Sequence, residues 1–167
     1  MNKKAIYFGI AYSIAVIIYK LIILLGGYQL TRFGFYFSHI VSVFFIIPFI
    51  ALAIKQSRDK DGGGMISGRQ AFSAGMTVAA IGIIIVSIYT YIEFEWKLKD
   101  ISVQYYNSNM YLEFLKRNPQ VKPEMYPKII SDNIASLSAF KAVTAKLMSF
   151  LIISGSCSFI CSVFMKK

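Results

Sequence analysis

The sequence predicts an all-α integral membrane protein with four transmembrane helices and an extramembrane helical hairpin between the third and fourth. Three observations carry that fold class. The 167 residues are 56% hydrophobic and 16% charged, whereas a soluble chain has about 25% charged residues; the mean hydropathy is +0.58. The apolar residues are clumped into four runs, each close to the ~20 residues that a helix needs to cross a hydrocarbon core of about 30 Å. The charges fall between the runs, most densely in one glycine-rich turn, KQSRDKDGGGMISGRQAFSAG over residues 55–75.

The first run covers about 5–25 and follows Lys3 and Lys4. A basic start before an apolar stretch also suits a signal peptide. This run is too long for that, and no A-x-A-like cleavage site follows Leu25, so it reads as a retained membrane helix. Gly26 and Gly27 break it. A short connection with Arg32 and Gly34 leads to the second run, about 35–54, in which Pro48 removes a backbone donor and predicts a kink. The basic turn follows. Ser67-x-x-Gln70 before Phe72 is a capping-box pattern that starts the third run, about 72–91. The fourth covers about 142–165 and ends on Lys166 and Lys167.

The lysines and arginines near the ends of the runs predict orientation. One side receives Lys3, Lys4, Lys55, Arg58, Lys60, Arg69, Lys166 and Lys167, against only Asp59 and Asp61. The other receives Arg32 and a segment of about 92–141 whose basic residues are nearly balanced by six acids. Both termini are therefore expected on the cytoplasmic side, with the basic turn at the headgroups of anionic lipid. A connection of roughly fifty residues needs structure of its own. Asp100 suits an N-cap, and Ile101, Tyr105, Leu112 and Leu115 recur at helical spacing up to Asn118-Pro119. A second helix over about 123–140 completes the expected hairpin. Its aromatics Trp96, Tyr105, Tyr106, Tyr111, Phe114 and Tyr126 suit the membrane interface.

Small residues recur at every fourth position within the runs: Gly9 and Ser13; Ala71, Gly75 and Ala79; Ser154, Ser158 and Ser162. Such stripes let helix backbones approach closely, either inside this bundle or against another protein. Lys20, Lys141 and Lys146, with Glu93 and Glu95, are expected at similar depth near the outer leaflet. They either snorkel to the headgroups or form a charged cluster in which a carboxylate or a lipid phosphate neutralises the lysines.

Chemistry-bearing patterns are scarce. The glycines of the central turn invite a phosphate-cradle reading, but Gly64 is followed by Met65 and no Gly-Lys-Ser/Thr follows. His39 is the single histidine, so no histidine-pair metal site or Ser-His-Asp arrangement can be built, and it reads as a hydrogen-bonded interface residue. Cys157 and Cys161 share a helix face; with no further thiol their spacing suits neither a disulfide framework nor a zinc site, and they read as small packing residues. No acid falls within an expected membrane core, which weighs against a proton-coupled transporter. The net charge of +10 is expected to report orientation and contact with anionic lipid, because the long apolar runs leave little room for a soluble face that could read nucleic acid. No catalytic residue, cofactor or metal is expected.

The stretch Arg58-Asp59-Lys60 through Gly62-Gly63-Gly64, then Ile66-Ser67, Gln70-Ala71-Phe72 and Gly75, resembles the central signature of a bacterial four-span membrane family known as domain of unknown function 4199. It departs from that signature at Gly68-Arg69, where an aromatic and then a glycine are expected. The four runs, the long segment before the last and the basic end fit as well. The resemblance implies an inner-membrane protein with no assigned activity and no catalytic residues to carry over. Relatives are often encoded beside membrane-associated glycosyltransferases, which implies a partner of that class. The expected function is a non-enzymatic accessory subunit that binds a larger inner-membrane protein, through small-residue helix faces and the outer hairpin, with Lys55, Arg58, Lys60 and Arg69 contacting lipid or that partner. The alternative is a small transporter or lipid-handling protein for an anionic substrate, working alone or as a homo-oligomer.

Overall fold

The computed structural model describes residues 3–31, 40, 41, 44–61 and 63–165, without the side chains of residues 30, 60 and 61. Among the described residues every regular element is helical. Three helices among the described residues are long and apolar enough to cross a membrane. The chain divides into two compact units, Met1–Tyr89 with Ala145–Lys167, and Thr90–Thr144.

In the first unit, α1 (Lys3–Leu25) ends where Gly27 takes a positive φ of 70°, a conformation that removes the chain from the helix without a Cβ penalty. The expected second run begins outside the described residues. Its described part ends in α2 (Ile46–Gln56). Phe44 is helical, Phe45 is a turn, and the helix resumes at Ile46. Pro48 explains the interruption, because it has no N–H for the carbonyl of Phe44. A π-helical turn, Ser57–Asp61, and the positive φ angles of Gly63 and Gly64 then reverse the chain.

α3 (Gly68–Glu93) starts on a capping box. Gln70 N donates to Ser67 Oγ at 3.2 Å, and Ser67 N donates back to Gln70 Oε1 at 3.1 Å. The N-cap N–H and one orphan donor of the first turn are thus satisfied locally. With α7 (Ala139–Phe164), these helices share one core. Tyr12 and Val16 from α1, Ile46 and Ile50 from α2, Val78 and Ile83 from α3, and Phe150 and Cys157 from α7 are its members. Tyr12 lies edge-on to Phe49 and Phe150. The opposite face of α1 carries Ile10, Ile14, Ile18 and Ile22, all exposed, which is the four-residue stripe that a lipid-facing helix presents.

The second unit holds the π-helical turn Phe94–Leu98, then α4 (Lys99–Tyr106), α5 (Asn109–Lys116) and α6 (Tyr126–Ala135). The single helix expected from Asp100 to Asn118 is two helices, and Ser108 is the reason. Its Oγ donates to Tyr105 O at 2.6 Å, closing α4, and accepts from Tyr111 N at 3.3 Å, opening α5. A serine that offers both bonds competes with helix continuation. α4 packs on α6 as well as on α5. The second expected helix stops at Ala135, and α7 restarts at Ala139 with Ser138 Oγ accepting from Lys141 N at 3.1 Å.

Candidate functional site

Three places in the structure gather the candidate residues. The first is where α1 and α7 converge inside the first unit. Lys20 is 3% exposed, so its ammonium does not reach the bundle surface. Its amine and that of half-buried Lys146 lie within hydrogen-bonding reach of one another, and its Nζ sits 4.8 Å from the centroid of the Tyr89 ring. The ring's negative face favours a cation there. Were both amines protonated, the pair would create a demand for negative charge that grows as the surroundings become less polar. Lys141, Glu93 and Glu95 belong to the second unit. Within it Glu93 is buried and Lys141 and Glu95 are exposed, as positions two apart on a helix turn must be when one faces inward.

The second place is the small-residue seam. Gly75 and Ala79 on α3 are buried, as are Ser154, Ser158 and Ser162 on α7. A Cβ added at Gly75 would lie 2.5 Å from Ser158 Oγ and 3.1 Å from Ile50 Cγ2. The equivalent positions on α1 and α3 interlock in the same way, with Gly9 against Ile81 and Gly82 against the Tyr12 ring. Ser13 and Ser154 return their hydroxyls to the carbonyls four residues back, on Gly9 and Phe150. The seam is therefore spent within the unit.

The third is the basic turn. Lys55 and Arg69 are exposed, and Arg58 donates from Nε to Asp59 Oδ1 at 2.8 Å. The Lys60 side chain, His39, Lys166 and Lys167 lie outside the described residues.

Sequence reasoning missed two features of the second unit. Tyr105, Tyr106, Tyr111 and Phe114 form one ring cluster, with centroids 4.9–5.9 Å apart. Asn133 Nδ2 donates to Tyr111 Oη at 2.8 Å. Burial and the neighbouring Tyr106 raise the Tyr111 phenol, and the Asn133 bond partly offsets the rise. Beside it an open groove of about 620 Å³ is lined by Leu112, Tyr126, Pro127, Ile130 and Ile134, with Asn107 and Ser131 as its polar rim. The spacing of Tyr126, Ile130 and Ile134, four apart, was the available signal.

No curated protein and no solved structure matches the chain. A family model does, over residues 3–167, and that extent, taking in both units and the basic turn, makes the chain a member of the family described as Protein of unknown function (DUF4199).

Proposed function

We propose that the chain is a non-enzymatic accessory subunit of a larger membrane protein, for which a membrane-associated glycosyltransferase of the bacterial inner membrane is the candidate class. The supporting observation is the uneven covering of the candidate membrane helices. Only 22% of the apolar window of α7 is buried inside the chain, against 39% for α1 and 44% for the window beginning in α3. The inward stripe of α7 is small and polar, while Met148, Ile152, Phe159 and Val163 stand exposed around it. Van der Waals packing against a second helix is how such a face is used in a bilayer.

In this reading α2 and the residues before it make the fourth crossing, both termini lie on the cytoplasmic side, and the basic turn meets anionic headgroups or the partner there. The segment between α3 and α7 lies outside and offers its apolar groove to the same partner. A photo-crosslinking residue at Ile152 or Phe159, activated in native membranes, tests the α7 contact. A discrete adduct with a second protein is expected; adducts with lipid alone at both positions would contradict the reading.

The convergence of Lys20 and Lys146 favours a second reading, in which the bundle handles an anionic lipid or a related anionic substrate. In their protonated form, a buried and a half-buried lysine from different helices would bind a phosphate or carboxylate through charge-assisted hydrogen bonds as they would a protein carboxylate.

A further inference from the structure

We propose that Cys157, Cys161 and Met165 form a binding site for a soft monovalent metal ion, copper(I). The two thiols are free and their Sγ atoms lie 3.9 Å apart, far beyond the ~2.05 Å of a disulfide. An ion bonded to both at about 2.3 Å would subtend an S–metal–S angle of about 116° across that 3.9 Å separation. The angle lies between tetrahedral and trigonal, so the pair is set for a shared ion without rearrangement of the helix.

A third sulfur stands in register. Met165 N donates to Cys161 O at 2.9 Å, which continues the helical turn and places Met165 one turn beyond Cys161 on the same face. Cys157 is buried in the core, and Cys161 and Met165 are half-buried against it. The sulfur donors that this face offers are two thiols and a thioether. That donor set selects copper(I); zinc takes thiolate, imidazole and carboxylate, not thioether.

The charge balance agrees. Binding one copper(I) ion with loss of one thiol proton gives a thiolate, a thiol and a thioether around a single positive charge, with no net charge overall. Neutral products are what an apolar surrounding tolerates. The proton goes to bulk buffer, and no electron is transferred.

The test uses the full-length protein in detergent, without oxygen, titrated against copper(I) held by bicinchoninate. The expected result is transfer of one copper(I) per chain, read as loss of the chelator complex absorbance, with sulfur as the only scatterer at ~2.3 Å in X-ray absorption. Cys157→Ser and Cys161→Ser should each weaken binding by more than the ~10–100-fold that loss of an outer-shell partner costs; Met165→Leu should weaken it less. Serine is close to cysteine in size, and circular dichroism and gel filtration identify the folded variants on which binding is read. No transfer from the chelator, equal transfer to the Cys157→Ser/Cys161→Ser protein, or equal competition by zinc would overturn the proposal.

Discussion

Ser158 Oγ on α7 occupies the space that any side chain at Gly75 on α3 would need, 2.5 Å from where its Cβ would lie. The two helices approach at this point because one residue has no side chain and the other has a two-atom one. Gly75→Ala should destabilise the protein by about 1–3 kcal/mol, the usual cost of overpacking. Ser158→Ala leaves its own Cβ 2.9 Å from the new one and should rescue little. Ser158→Gly removes both close atoms, so Gly75→Ala/Ser158→Gly should be less destabilised than the two single changes summed. A double-mutant cycle of unfolding in detergent checks this.

The capping box of α3 should be worth about 1 kcal/mol, which Ser67→Ala forfeits. Gln70→Ala should remove only the reciprocal bond to Ser67 N. Hydrogen exchange at the amides of residues 67–70 is the direct readout, with faster exchange in both variants and the larger change in Ser67→Ala.

Tyr111 makes the second unit sensitive to high pH. Burial raises its phenol above the ordinary value of 10.0, so between the unfolded and folded values the folded unit holds a proton that the unfolded chain has released. The stabilisation is complete below pH 10 and is lost as pH rises from there through the folded value. Asn133→Ala removes a bond that favours the phenolate and should move the ionisation of Tyr111 still higher. Ultraviolet titration of the wild type, Asn133→Ala and Tyr111→Phe separates this residue from the other tyrosines.

Anionic lipid retained through purification distinguishes the two functional readings. If the lysine pair recruits a phosphate, Lys146→Met should lower the retained phosphatidylglycerol seen by native mass spectrometry, while exposed Lys141→Met should leave it unchanged. Equal retention in all three proteins would remove the support for lipid handling.

Much of this architecture was legible because its signals are local. The length of three apolar helices, the stop at Gly26-Gly27, the interruption ahead of Pro48 and the Ser67–Gln70 cap each depend on residues within one or two turns. The break at Ser108 was missed although its signal is also local, because Ile101, Tyr105, Leu112 and Leu115 keep helical spacing across it. The candidate sites were less legible. Lys20 and Lys146 are 126 positions apart, and helical periodicity says nothing of which faces of α1 and α7 meet. The Tyr111–Asn133 bond joins two helices that the expected hairpin pairs, but no spacing rule says which of their residues meet. Glu93 and Glu95 read alike in sequence, yet one is buried and the other exposed.

The most direct measurement is purification of the tagged protein from its native membrane in a gentle detergent, followed by mass spectrometry of bound protein and lipid. One stoichiometric membrane partner is expected, retained by the wild type and lost when residues 100–140 are replaced by a short linker in a variant that still folds. A homogeneous particle carrying anionic lipid and no second protein would contradict the accessory-subunit function.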